Sequence, residues 1–315
     1  MFFIFNVIKL GLLCLYNPKK VVDEVIRLLE FMHTSVRYNV RVVQYGTCLV
    51  VLTTGAVIVY ERRNRSKQRL AWNSVGRDVV LVHGDPRGVF TPSTSPFVLK
   101  LETYLRLAEI PYQYESTSPF GPKGKMPWIT LNSSDMGDSQ LIIEHLGTHF
   151  SIDLNRHLPE DQQAVAKAFV IMMEEHLAWG LRIYRYRVDA CKGLLQCVGQ
   201  MPLWMRLGIP IMRRRVVSAC HAQGIGRHTD QEVEDIVRKD LLALSTYLGD
   251  KPFLLGDEPS EVDCTMFGFM AQILWNYPGS PYEKLLNDEF VNIKAYVLRI
   301  KERLWPDWDS CLSEK

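Results

Sequence analysis

Hydrophobic and polar positions divide the chain into three textures. In the first, residues 42–60 (VVQYGTCLVVLTTGAVIVY) run uncharged between Arg41 and Glu61. A helix rising about 1.5 Å per residue over such a run matches a hydrocarbon core of roughly 30 Å. Val, Thr and Gly are poor formers of a soluble helix, but in lipid the backbone has no other partner. The sharp charge boundaries favour a transmembrane helix over a buried core helix. Residues 1–41 precede it with an apolar piece, MFFIFNVIKLGLLCLY, interrupted by Asn6 and Lys9. That piece is short for a span and lacks the basic start and A-x-A-like site of a signal peptide, so an interfacial helix stands beside that reading. Pro18 to Phe31 carry apolar residues at helical spacing, which suits an amphipathic helix on a membrane or partner.

The second texture begins at Asp78, after a basic linker over 61–77. DVVLVHGD is a β-branched run that predicts a buried strand. Pro96 and the apolar spacing after it predict a helix with Ser95 as N-cap. An extended Ile110 to Tyr114 follows, then a strand from Met126 to Leu131, then a helix capped at Asp138-Ser139. The order over 78–152 is strand, helix, strand, strand, helix.

The third texture, 153–310, has helical spacing only, with helices expected over Glu160–Val188, Gln231–Leu248, Val262–Asn276 and Asp288–Leu304. Ser260-Glu-Val-Asp263 places a carboxylate at the third helical position after a hydroxyl cap, a close variant of the capping box. A small α/β domain followed by an all-helical one is the predicted body.

Charge adds an orientation and excludes a function. Arg62, Arg63, Arg65, Lys67 and Arg69 outnumber Arg27, Arg37 and Arg41 on the other flank, so the positive-inside rule puts everything after Tyr60 in the cytosol. A net charge of only +2 gives no field for nucleic acid, and Tyr184-Arg-Tyr-Arg187 is too short to suggest RNA. The seven cysteines have no CxxC spacing and describe neither a disulfide framework nor a zinc site. A reducing compartment follows.

The pieces together resemble the glutathione-transferase fold. Ser95-Pro96-Phe97-Val98 sits where the thioredoxin superfamily places its active motif. Lys125-Met126-Pro127 resembles the turn with a cis-proline, Asp138-Ser139 the pair that holds the γ-glutamyl end of glutathione, and Ser260 to Asp263 the capping box of the helical domain. SPFVLKLETYLRLAEIPY, GKMPWI, MEEHLAW, GIGRH, FLLGDEPSEVDCTMFGFMAQILW and WPDW are similar to the failed axon connections family, related to the metaxins. The resemblance implies a thioredoxin-like N-terminal domain over 78–152 and a helical glutathione-transferase C-terminal domain over 153–310, behind one transmembrane helix. It further implies a role in axon development through unidentified protein partners and no established catalysis. A mitochondrial outer-membrane protein of metaxin type is the neighbouring reading, and a homodimer is open, since such folds often dimerise. Members commonly carry Cys where this chain has Val98, so any thiol chemistry there is lost.

Ser95 is the one catalytic candidate. Bringing a thiol from a pKa of about 8.5 to about 6.5 takes roughly 2.7 kcal/mol. A hydroxyl bond to a charged partner supplies about 1.5–3 kcal/mol and a helix N-terminus up to about 1–2. The hydroxyl is sufficient if glutathione docks; as a plain N-cap it needs no ligand. Lys125, Met126, Pro127, Asp138 and Ser139 are the expected glutathione-binding residues, and each equally serves the fold alone. No cofactor is otherwise expected. His145 and His149 lie one turn apart beside Glu144 without a third ligand, so no metal is expected. Glu174-Glu175-His176 reads as paired core side chains rather than an acid–base set. Residues 193–212, with Pro202, Arg206 and Pro210, make a poor span. Trp204, the methionines and Arg213 to Arg215 suit either a surface against lipid or protein, or an insertion packed in the helical domain.

Overall fold

The computed structural model describes residues 66–313 except 119 and 200–202, together with 26–27, 54–55 and 63–64. The chain divides into two units, Met1–Ser74 and Val75–Lys315. The apolar piece 1–16 lies outside the described residues, as do 18–31 and the run 42–60 apart from 26–27 and 54–55. Among the described residues no helix is long and apolar enough to cross a membrane. In the expected linker, residues 66–73 are helical, in keeping with their content of Lys, Gln, Arg, Leu and Ala.

The unit Val75–Lys315 opens with strand β1 (Val80–His83), helix α1 (Pro96–Leu107) and strands β2 (Tyr112–Glu115), β3 (Trp128–Leu131) and β4 (Ser134–Gly137), then α2 (Ser139–Phe150). The sheet order is β2-β1-β3-β4, with β2 parallel to β1 and the other two pairings antiparallel. The β-branched run predicted to be buried is thus a central strand, buried at all four positions. Val80, Val82 and Ile129 alternate onto one face and bury against Leu101 and Leu105 of α1 and Ile142 and Leu146 of α2. The fourth strand was not expected. Its sequence SDMG is short and polar, and it pairs only because Asn132 and Ser133 turn at φ 48 and 68 to close a hairpin.

Helix α3 (Glu160–Ile171) continues through a π-helical turn (Met172–Leu177), α4 (Ala178–Ile183) and a second π-helical turn (Tyr184–Val188). Then come α5 (Lys192–Cys197), α6 (Leu203–Gln223), α7 (Asp230–Leu248), α8 (Glu261–Asn276), α9 (Pro281–Asp288) and α10 (Val291–Leu304). The expected start of the last helix at Asp288 is early by three residues, because α9 ends there and a separate helix begins at Val291 behind the N-cap Phe290. Helix α8 is apolar all round and buried from Val262 to Leu274, the mark of a central core helix. Its start is fixed as predicted: Asp263 accepts the Ser260 N–H (2.8 Å) and hydroxyl (3.0 Å), the Leu254 N–H (2.9 Å) and the Tyr296 hydroxyl (3.0 Å). Helix α1 lies directly on α8. A Cβ on Gly268 would stand 2.5 Å from the Pro96 carbonyl oxygen and 3.1 Å from the Lys100 nitrogen. The helix that begins at Ser95 is therefore seated on the helical domain by a glycine contact.

Candidate functional site

Strand register brings the segments that carry the expected site residues to one end of the sheet. His83 ends β1 opposite Trp128, which opens β3, and Trp128 lies opposite Gly137, which ends β4. The loop that leads to Ser95, the segment Lys125–Pro127 and the start of α2 at Asp138-Ser139 therefore leave one end of the sheet together. The Met126–Pro127 peptide bond is cis. Lys125 is exposed, Met126 half-buried and Pro127 buried.

Ser95 has the extended backbone of an N-cap (φ −101, ψ 123), but its hydroxyl makes no cap bond to α1. The loop in front of it is organised by the buried carboxylate of Asp85. Ser93 donates its hydroxyl to Asp85 (2.5 Å), and Thr94 donates both its N–H (2.8 Å) and its hydroxyl (2.6 Å). The Ser95 N–H in turn donates to the Ser93 hydroxyl at 3.0 Å. The helical domain holds the same loop from the other side. Gln272 donates to the Ser93 carbonyl (2.9 Å), Asn276 to the Thr91 hydroxyl (2.5 Å) and Arg185 to the Thr94 carbonyl (3.2 Å). Arg185 also lies over the Tyr277 ring, 4.3 Å from its centre. Ser95 is thus carried on a segment with little freedom, its own hydroxyl not used by the helix it starts.

Asp138 and Ser139 are differently placed. Asp138 is exposed at φ 92, and its carboxylate accepts the N–H groups of Gln140 (3.2 Å) and Leu141 (3.3 Å). Ser139 is buried. The acidic group expected to meet a ligand's amino end caps α2 through one oxygen, Oδ1.

Buried ion pairs that the sequence did not announce surround the site. Arg87 holds Glu102 through both nitrogens (2.8 and 3.0 Å), and burial pushes the Glu102 carboxyl up in spite of that partner. The fully buried Lys100 donates to Gln140 (2.7 Å) and Glu174 (2.6 Å), and Gln140 passes on to Glu261 (2.8 Å). His83 bridges Glu115 and Thr130 at 3.0 Å each and stacks on Trp128 at 3.6 Å. The partners lie 15 to 121 residues apart. The one signal available was a charge inside an apolar helix, as in Phe97-Val-Leu-Lys100-Leu.

The other candidates are dispersed. Glu174 pairs with Lys100, while His176 pairs with Asp240 at 2.8 Å. His149 pairs with Asp78 at 2.9 Å, its ring 6.1 Å from that of His145. Among the described residues no group of three or more His, Cys, Asp or Glu could hold a metal ion. Of the Tyr184–Arg187 run, Arg187 bonds Asp230 while Arg185 is buried. Position 98 is a fully buried valine. Burial pushes the Cys197 thiol up to about 11 and that of Cys264 well above its ordinary range, so both stay protonated and inert near neutral pH.

Comparison with known proteins agrees with the fold. A model described as the glutathione S-transferase N-terminal domain matches residues 96–191, and one described as the glutathione S-transferase C-terminal domain matches 237–300. The chain is 31% identical over 250 residues to failed axon connections of Drosophila melanogaster, covering 74% of the chain and 60% of that protein's length. It is 30% identical over 243 residues to isoprene-epoxide–glutathione S-transferase of Rhodococcus sp. (strain AD45), covering 73% of the chain and 100% of that protein. It is 26% identical over 184 residues to the metaxin-2 homolog of Caenorhabditis elegans, covering 56% of the chain and 79% of that protein. The fold matches a β-etherase from Sphingobium with a TM-score of 0.50 at 14% identity, covering 72% of the chain and 99% of that structure.

Proposed function

The chain belongs to the glutathione S-transferase family, in the metaxin-related group that includes failed axon connections, and from that premise we propose that it is a membrane-tethered protein without transferase activity whose folded body acts by binding other proteins during axon development. The carrying observation is the Asp138 carboxylate, whose Oδ1 is engaged by the first N–H groups of its own helix. A site for the amino end of a glutathione needs that negative charge directed at the ligand. The buried valine at position 98 removes the thiol alternative. The tether is assigned to 42–60, with the body on the cytosolic side, from the charge pattern. A role in axon development follows the name of the Drosophila relative, of which the chain spans 60%.

The test is a conjugation assay on the full chain in detergent with glutathione and an electrophile. No turnover above the uncatalysed rate is expected, for the chain and for Ser95→Ala alike. Turnover at ordinary transferase rates, on the order of 1–10³ per second, that Ser95→Ala abolishes would overturn the reading.

A working glutathione transferase is the second reading, and one observation favours it: the Ser95 hydroxyl, at the N-terminus of α1, makes no cap bond to that helix. Full coverage of the Rhodococcus enzyme supports the same reading. It requires saturable glutathione binding by calorimetry, weakened by Asp138→Ala. Absence of heat at millimolar ligand removes it. Protease protection and co-localisation of a tagged chain separate mitochondria, the secretory pathway and the plasma membrane.

A further inference from the structure

Among its described side chains, helix α6 is anchored along one face. Ile209 is half-buried, Arg213 donates to the carbonyls of Tyr186 (2.6 Å) and Arg187 (3.4 Å), Val216 packs on the helical core and Cys220 is inside it. These positions follow at intervals of four, three and four, so they form one stripe. The opposite stripe is then bound to face outward. It begins with Leu207, 58% exposed, and Ile211, 49% exposed, and continues into the exposed Arg214 and Arg215, with the exposed Met212 at its flank toward the anchored stripe. Here a second apolar patch, besides the stripe packed on the core, points away from the protein.

Charge selects the occupant. Residues 190–229 contain no aspartate or glutamate, while Lys192, Arg206, Arg213, Arg214, Arg215 and Arg227 fall within them. The stretch of chain that carries the exposed apolar ridge is of one sign, the pattern of a helix lying in a lipid interface. A protein partner fits less well, because a stable interface takes about 800 Å² from each side and a convex ridge of a few side chains does not offer it. A bilayer needs no matching surface.

We propose that the outward face of α6, from Leu207 to Arg215, docks on an anionic lipid bilayer. Leu207 and Ile211 enter the headgroup–acyl boundary, and Arg214 and Arg215 bond the lipid phosphates and carboxylates. This contact is separate from the tether assigned to 42–60 and does not rest on it.

The experiment is hydrogen–deuterium exchange on the full chain in nanodiscs of phosphatidylcholine alone and of phosphatidylcholine mixed with phosphatidylserine. Backbone amides over 206–215 are expected to exchange at least about tenfold more slowly on the mixed lipid. About 1 M salt, where the Debye length is about 3 Å, removes most of that protection. The pair Leu207→Glu with Ile211→Glu removes it, as does Arg214→Glu with Arg215→Glu, the latter by about fivefold for each arginine lost. These positions are exposed, so exchange in α8 serves as the control that the fold is intact. Equal exchange on both lipids overturns the proposal even if the tether keeps the chain in the disc. So does protection by soluble polyglutamate without lipid, which makes the site one for acidic protein. Protection that grows with chain concentration and ignores lipid assigns the face to a second copy instead.

Discussion

Asp263 accepts four hydrogen bonds while buried, and two of its partners, Ser260 N–H and hydroxyl, are three residues away in sequence. Its substitution separates structural from decorative capping. Asp263→Ala strands the Leu254 N–H and the Tyr296 hydroxyl in the core, and we expect a loss of about 3–5 kcal/mol in urea unfolding. Asp263→Asn keeps one acceptor oxygen but turns an amide N–H toward either Ser260 or Leu254, so it falls between. A loss under about 1 kcal/mol for the alanine would reduce the residue to an ordinary surface-type cap. This group was legible because its partners are local. Lys100 was not: Glu174 stands 74 residues away, and nothing in either segment names the other.

At the level of elements, legibility followed the strength of the local pattern. The central strand, α1 and α8 each carry a continuous apolar or capped signature, and each formed where expected. Strand β4 has none, and exists because β3 offers it an edge across a tight hairpin. Helix α6 contradicts its own sequence, since Pro210 inside it leaves the Arg206 carbonyl without its usual partner. In the site, register placed the segments that carry Ser95, Pro127 and Asp138 at one end of the sheet, a consequence of the strand order. The Asp85 and Arg185 clamps on the loop came from tertiary packing that no spacing encodes.

The crossing of α1 on α8 gives the prediction proper to this scale. Gly→Ala inside a helix ordinarily gains about 1 kcal/mol from propensity. At Gly268 the added methyl meets backbone atoms of α1 that cannot swing aside. Gly268→Ala is therefore expected to destabilise by about 1–3 kcal/mol and to raise amide exchange at the start of α1. A stabilised variant would show that α1 is not held by this contact.

Across the whole unit Val75–Lys315, the sheet domain and the last turns of the chain are clasped by one ion pair. Arg106 of α1 donates to both carboxylate oxygens of Asp307 (2.5 and 2.9 Å) and to the Leu304 carbonyl (3.1 Å), with its guanidinium 3.9 Å from the Trp305 ring centre. The hydrogen bonds from Arg106 hold the Asp307 carboxyl at about 2, below its ordinary 3.8. A depressed carboxylate binds fewer protons folded than unfolded, so its stabilisation is complete above pH 3.8 and is lost as pH falls through about 2. Asp307→Asn removes that pH-dependent part and leaves the rest of the clasp. The stability gap between the parent chain and this variant should then be flat from neutral pH down to about 4 and close toward pH 2. Because the Asp307 side chain is 46% exposed, added salt should narrow the gap at neutral pH. A gap that stays constant from pH 4 to 2 would mean that the arginine holds the C-terminal turns through the Leu304 carbonyl and the Trp305 ring, with the carboxylate contributing nothing.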